Sequence, residues 1–149
     1  MEKVATYTVK KDGLITRIET PVIVLRNDGE RKPSHNKQWK AMWDTGSTLS
    51  GITQEIVDLL GLTPIKKLTA HTSNGSVLVD VYKVSLVLPN NIMVGNVAVS
   101  CNNMDDDIDV LIGMNVIRLG DFALTNKDRK STFSFRVPSI EEIDFQKIE

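Results

Sequence analysis

The architecture of this chain follows from one segment, Ala41-Met42-Trp43-Asp44-Thr45-Gly46-Ser47-Thr48. A short apolar strand, Trp39–Trp43, is predicted to run directly into Asp44 and so to deliver its carboxylate to the edge of a hydrophobic core. Gly46 lets the backbone approach closely and offers an amide, and the Thr45 hydroxyl can bond neighbouring backbone. Such bonds fix a carboxylate and set its pKa. The pattern predicts a carboxylate site, although the three residues alone also fit a surface Asx turn after a strand.

Two further motifs follow Asp44 along the chain. Asn74-Gly75 is a strong hairpin-turn signal between the predicted strands Ile65–Thr72 and Val77–Val84, about 30 residues after Asp44. The segment Asp109-Val110-Leu111-Ile112-Gly113-Met114-Asn115-Val116-Ile117 then joins a short apolar strand to a glycine and a polar residue that open a second short helix. The chain thus predicts an aspartate loop, a hairpin tip and a strand-to-helix turn, in that order.

In this order and spacing the three segments resemble retropepsin-like (retroviral-type) aspartic proteases. The continuation Leu119–Asn126 is similar to the bacterial retropepsin-like subgroup, and the resemblance covers roughly residues 38–137. It implies an all-β fold, a retropepsin-like closed β-barrel with one or two short helices and a single Asp-Thr-Gly loop per protomer. The implied activity is that of an aspartic endopeptidase, with Asp44 as the catalytic residue.

The resemblance also implies roles for the residues around Asp44. Because the chain contains one Asp-Thr-Gly motif, the family's dyad would take one Asp44 from each subunit of a homodimer. The substrate would be a peptide or protein in extended conformation, and neither a metal nor an organic cofactor is required. The implied supporting residues are Thr45, Gly46 and Ser47 in the active-site loop; Thr72, Ser73, Asn74 and Gly75 in a substrate-binding flap; and Gly113 and Asn115 in the second signature.

Two departures from the retroviral pattern stand out. Ser47 occupies a position where many retroviral enzymes have alanine, and a hydroxyl close to the carboxylate would favour its ionised form. The segments before Trp39 and after Gly120 are longer than those of the minimal retroviral enzyme, whose short chain ends build the dimer interface. The sequence therefore does not identify the dimer interface of this chain. The alternative function is a catalytically inactive retropepsin-like module that dimerises and binds peptides or supports assembly. An intact Asp-Thr-Gly motif disfavours that alternative.

The chain is expected to form a single domain over residues 1–149. An N-terminal hairpin extension, about residues 1–37, is predicted from Val4–Val9 and Leu14–Leu25 on either side of a turn. A charged tail, about residues 138–149, is expected to fray. A short helix is predicted over Thr53–Leu60, with Thr53 as its N-cap and Gly61 as its stop, and two further hairpins over Ser85–Ser100 and Asp121–Val137.

The composition argues against nucleic acid and membranes as binding partners. Eighteen Lys and Arg against 19 Asp and Glu give a net charge of −1, so no basic field attracts nucleic acid or an anionic membrane. No run approaches the roughly 20 apolar residues of a membrane span, and no signal-peptide pattern is visible. With only one cysteine among its 149 residues, the chain is expected to be cytoplasmic.

Competing sites are weak. The acidic run Asp105–Asp109 fails the EF-hand pattern because Val110 falls where the turn glycine should be. His35, His71 and Cys101 lack metal-ligand spacing, so no metal site is expected. Cys101 has no activating context and is expected to be an unreactive residue at the end of a strand.

Overall fold

The structure, a computed structural model, describes residues 3–28, 33–105 and 107–147. Within these residues the chain is mostly β, with two short α-helices. Single 3-10 turns lie at Pro33–Asn36, Pro89–Asn91, Lys127–Arg129 and Phe145–Lys147. The strands and helices are β1 (Ala5–Lys10), β2 (Ile18–Arg26), β3 (Gln38–Trp43), β4 (Ser50–Ile52), α1 (Gln54–Leu60), β5 (Lys66–Thr72), β6 (Gly75–Leu88), β7 (Ile92–Cys101), β8 (Val110–Ile112), α2 (Met114–Ile117), β9 (Asp121–Thr125) and β10 (Thr132–Val137).

Six strands close into a barrel. Their neighbour order is β2-β3-β8-β4-β7-β6, and β6 returns to pair with β2. Closure depends on β2, which pairs antiparallel with β3 through Ile18–Ile23 and with β6 through Ile23–Arg26. A closed barrel leaves no open sheet edge among its strands. The predicted all-β closed barrel with short helices is therefore confirmed.

A second, three-stranded antiparallel sheet in the order β1-β10-β9 packs against the barrel. The contact is aromatic: the Trp43 ring lies 5.0 Å from Phe133, 4.9 Å from Phe135 and 6.0 Å from Phe122, measured between ring centroids. The Trp43 indole N–H donates a buried 2.9 Å hydrogen bond to Thr20 Oγ1, so its one polar atom is satisfied. The last residue of β3 thus joins the two sheets.

The predicted N-terminal hairpin is wrong. β1 pairs with β10, from Ala5 opposite Val137 to Lys10 opposite Thr132, whereas β2 pairs with β3 in the barrel. The reason is packing: β2 buries Val22 and Val24 in the barrel core, whereas β1 alternates exposed residues with the half-buried Ala5, Tyr7 and Val9, which pack against the hydrophobic core. The polar turn between the strands therefore links two sheets instead of closing a hairpin.

The beginning of the C-terminal tail is held, contrary to the predicted fraying. The Asp121 carboxylate accepts hydrogen bonds from the Ile140 amide (2.9 Å), from the Ser139 hydroxyl and from Arg136 Nε (2.7 Å). These donors, the Ile140 amide first, hold the pKa of Asp121 well below its usual range. Arg136 also contacts Glu141 at 3.2 Å, so the tail is tied to the three-stranded sheet.

Helix α1 follows the predicted boundaries closely. Thr53 takes the extended N-cap conformation, and Gly61 ends the helix in the left-handed region at φ 61°. The capping chemistry differs, because Thr53 Oγ1 is buried and has no hydrogen-bond partner in the described part of the chain. Neither α-helix of the described residues has the length and hydrophobicity of a membrane span.

Replacing Phe133 with alanine tests the aromatic joint between the sheets. Phe133 is 1% exposed, so Phe133→Ala should lower the free energy of unfolding by about 3–5 kcal/mol through lost burial and a cavity. Urea denaturation of the purified variants measures it. The matched control is Phe145→Ala, because Phe145 is 79% exposed and its loss should change stability by no more than about 0.5 kcal/mol. Equal losses would contradict this account of the joint.

Candidate active site

Two parallel strands deliver the Asp44 loop and the Gly113 turn to the same end of the barrel. β3 and β8 pair in parallel, with Ala41 opposite Val110 and Trp43 opposite Ile112. Both strands end after these residues, and the Asp44 amide donates to Ile112 O at 2.8 Å. The two sequence motifs, separated by more than 60 residues of chain, therefore lie side by side.

The Asp44 carboxylate is half-buried and fixed by its own loop. The Gly46 amide donates to Asp44 Oδ1 at 2.8 Å, and the Ser47 amide donates to the Asp44 carbonyl at 3.3 Å. A Cβ on Gly46 would lie 3.2 Å from that same Oδ1, so glycine keeps the turn tight. The amide contact expected from the sequence is present, and it holds one carboxylate oxygen.

The two hydroxyl groups of the loop behave differently from expectation. The Ser47 hydroxyl donates to Leu49 O at 2.6 Å, so it braces the loop and does not contact the Asp44 carboxylate. The expected stabilisation of the ionised carboxylate by this hydroxyl is therefore wrong. Thr45 is exposed, and its hydroxyl makes no hydrogen bond to any other described residue.

Ser50 ties the loop to the second motif. Its hydroxyl accepts a 3.0 Å hydrogen bond from the Gly113 amide and donates one of 2.8 Å to Asn115 Oδ1. Asn115 Nδ2 in turn donates to Ala98 O on β7 at 2.9 Å. Ser50 is 1% exposed, so its hydroxyl is satisfied away from water. The role of Ser50 could not be predicted from the sequence, because its contacts form only when β4 pairs with β8.

Gly113 lies directly beneath the Asp44 loop. A Cβ built on it would lie 2.2 Å from Leu49 O and 2.8 Å from Ser47 O, distances that no real side chain adopts. The next amide, that of Met114, donates to Ser47 O at 2.7 Å. Gly113 and Asn115 are therefore both in contact with the loop that carries Asp44, one through its backbone and one through its side chain.

The predicted flap is the hairpin of β5 and β6. Thr72 lies opposite Gly75, which leaves Ser73 and Asn74 as the turn, one residue earlier than the predicted Asn74-Gly75 centre. The Thr72 hydroxyl donates to Gly75 O at 2.7 Å and accepts from the Asn74 amide at 3.3 Å. The positive φ, 112°, falls on Gly75, where glycine is favoured. Side-chain and backbone bonds thus close this tip in a tight turn.

A cavity of about 660 Å³ lies between the hairpin and the loop that follows β7. Thr72 is the only proposed flap residue that lines it, and Asp44, Ser73, Asn74 and Gly75 do not. Sequence reasoning missed most of its wall, because no motif marks it. The lining residues are Met42, Gln54, Ala70, Thr72, Val77, Val79, Cys101, Asn102, Asn103, Met104, Asp105, Ile108 and Leu111.

Cys101 lies at the end of β7, and His71 lies in β5. Burial, and then the nearby Asp80 and Asp58 charges, raise the pKa of the Cys101 thiol, which disfavours the reactive thiolate. His71 Nδ1 lies 3.0 Å from Ser76 Oγ in a hydrogen bond across the hairpin. Among the residues that the structure describes, no three His, Cys, Asp or Glu side chains form a group that could hold a metal ion.

The family model described as "gag-polyprotein putative aspartyl protease" matches residues 34–119, which is more than half of the chain. The matched region contains the Asp44 loop, the hairpin and the Gly113 turn. The chain belongs to this family. Among curated proteins, none matches the chain significantly.

One solved structure shares the fold of this chain, and two others align with it more weakly. A retropepsin-like aspartic protease from Rickettsia conorii aligns with a TM-score of 0.57 over 92% of this chain and 98% of that one, at 16% identity. The simian foamy virus (mac) protease aligns at 0.48 over 66% and 89%, with 17% identity. The EIAV protease aligns at 0.46 over 68% and 86%, with 16% identity. The Rickettsia match supports a retropepsin-like fold for nearly the whole chain.

Replacing Gly113 with alanine tests its position beneath the loop. The added Cβ would meet the backbone of Leu49 and Ser47, which cannot swing aside as a flexible side chain can. Gly113→Ala should therefore lower the free energy of unfolding by about 1–3 kcal/mol in urea denaturation. Gly13→Ala is the matched control, because nothing lies within 4 Å of a Cβ there and stability should change by no more than about 0.5 kcal/mol. A Gly113→Ala protein as stable as the control would rule out the close approach.

Proposed function

We propose that the chain is an aspartic endopeptidase in which Asp44 carboxylates from two identical subunits activate one water molecule. The observation that carries the proposal is the placement of Asp44. Its half-buried carboxylate lies at the end of a barrel strand, with Oδ1 held by the Gly46 amide and the loop braced by Ser50 and Gly113. Membership of an aspartyl protease family supports it. Residues 1–149 would act as one domain, and the location would be cytoplasmic.

The chemistry needs two carboxylates that share one proton. Two contacting carboxylates cannot both ionise cheaply, so one stays protonated while its twin is ionised. The ionised Asp44 would take a proton from water, and the protonated one would polarise the scissile carbonyl and then protonate the leaving amine. Since Oδ1 already accepts the Gly46 amide, Oδ2 is the oxygen open for water, and no other described residue bonds to it.

The substrate would be an extended peptide bound between the Asp44 loop and the hairpin. An extended peptide satisfies its backbone through strand-like hydrogen bonds, while pockets accept alternate side chains. Met42 and Leu111, which lie opposite each other in β3 and β8, reach the cavity under the hairpin. The hairpin tip, Thr72–Gly75, would close over the peptide and exclude water.

Asp44→Asn should abolish peptide hydrolysis and leave the fold intact. Asparagine is nearly isosteric with aspartate, and its amide cannot act as a general base. A fluorogenic peptide assay on purified protein measures the loss, and circular dichroism checks the fold. The control, Asp12→Asn, changes an exposed aspartate in a polar turn and should retain full activity. If Asp44→Asn turns over as fast as wild type, Asp44 is not the catalytic residue. Peptide binding without hydrolysis by wild type would instead favour the inactive binding module.

Mixing subunits tests the shared dyad. When wild type is mixed with Asp44→Asn protein under exchanging conditions, mixed dimers hold one competent carboxylate and should be inactive. At constant total protein, activity should therefore follow the square of the wild-type fraction. The measurement is hydrolysis rate against mixing fraction, once mass spectrometry has established subunit exchange. A linear dependence would mean that each subunit works alone.

A further inference from the structure

The cavity under the hairpin has two chemically different walls. Met42, Ile108 and Leu111 form an apolar surface from the barrel and the loop before β8. A polar surface is formed by the side chains of Gln54, Asn102, Asn103 and Asp105. A volume of about 660 Å³ lies within the range of roughly 300–1,000 Å³ typical of ligand pockets. The cavity therefore suits a side chain that is apolar along its stem and polar at its tip.

The polar wall offers acceptors that no described residue occupies. The Gln54 side-chain NH2 donates to Asp58 Oδ1 at 2.8 Å, and that of Asn102 donates to Ser100 Oγ at 2.8 Å. Asn102 Oδ1 and the Asp105 carboxylate accept no hydrogen bond from any other described residue. The Asn103 side chain also has no such bond, so its amide can turn its oxygen towards a ligand. A ligand that donates hydrogen bonds can therefore be held by Asn102 Oδ1 and the Asp105 carboxylate.

The charge at the cavity wall is negative. Asp105 is exposed at the cavity wall, and none of the described lining residues is Lys, Arg or His. Asp80, which lies nearby, is paired with Lys67 at 2.9 Å, so Asp105 is the charged side chain of the described lining. Within the described residues Asp105 has no ion-pair partner, in contrast to Asp107, which contacts Arg17 at 2.7 Å.

We propose that this cavity is a specificity pocket for a Lys or Arg side chain of the peptide substrate. The methylene stem would lie on Met42, Ile108 and Leu111, and Asp105 with Asn102 Oδ1 would bind the cationic head. Long basic side chains bury their stems on apolar surface and keep their charge at a polar rim in this way. The inference rests on the proposed endopeptidase function and adds the substrate class.

A peptide series tests the pocket. Fluorogenic peptides carry lysine at one position at a time, from three residues before to three after the scissile bond, with norleucine as the uncharged match of its stem. Wild type should cleave the lysine peptide about fivefold better, by kcat/KM, at one of these positions, as expected for a partly exposed ion pair. Asp105→Asn should bring that ratio close to one. The wild-type preference should shrink between low salt and about 1 M salt.

Asp128→Asn is the matched control. Asp128 is exposed in the turn between β9 and β10 at φ 56°, a conformation that asparagine also adopts, so the lysine preference should persist. Equal cleavage of both peptides at every position, or a preference that Asp105→Asn leaves unchanged, would overturn the pocket and leave the endopeptidase standing. If wild type cleaves neither peptide, fluorescence anisotropy decides: tighter binding of the lysine peptide to wild type than to Asp105→Asn upholds the pocket without the endopeptidase, and equal binding overturns both.

Discussion

The buried hydroxyl of Ser50 is the contact on which the candidate site depends. It accepts from the Gly113 amide and donates to Asn115, so one oxygen joins the loop after β3 to the turn after β8. Because the hydroxyl is cut off from water, losing either partner would leave a buried polar atom unsatisfied, a cost of about 1–3 kcal/mol. That cost favours one arrangement of the two loops, and this arrangement fixes the position of Asp44.

Local patterns in the sequence predicted the parts of the fold that local chemistry controls. The strand that ends at Asp44, helix α1 with Gly61 at its end, and the hairpin around Asn74 all depend on a few neighbouring residues. The partner of β1 could not be predicted in this way. β1 pairs with β10 more than 100 residues away, and only the packing of the whole aromatic cluster favours that choice over a hairpin with β2.

The candidate site shows the same division. The hydrogen bond from the Gly46 amide to Asp44 could be predicted because it spans two residues. The motifs around Asp44 and Gly113 could be matched by their order. The direction of the Ser47 hydroxyl could not, since Leu49 O and the carboxylate are both within reach of a short side chain. The polar wall around Asp105 combines side chains from separate elements, so no single stretch of sequence predicts it.

The hairpin over the cavity separates two kinds of surface by strand alternation alone. On one face, Ala70 lies opposite Val77, and both line the cavity. On the other face, Lys67 lies opposite Asp80 and forms a 2.9 Å ion pair. Because side chains alternate along a strand, a shift of β5 by one residue would turn its Lys67 towards the cavity and its Ala70 towards solvent. The tight turn at Thr72–Gly75 fixes that register, so the hydrogen bonds at the tip determine which chemistry faces the cavity.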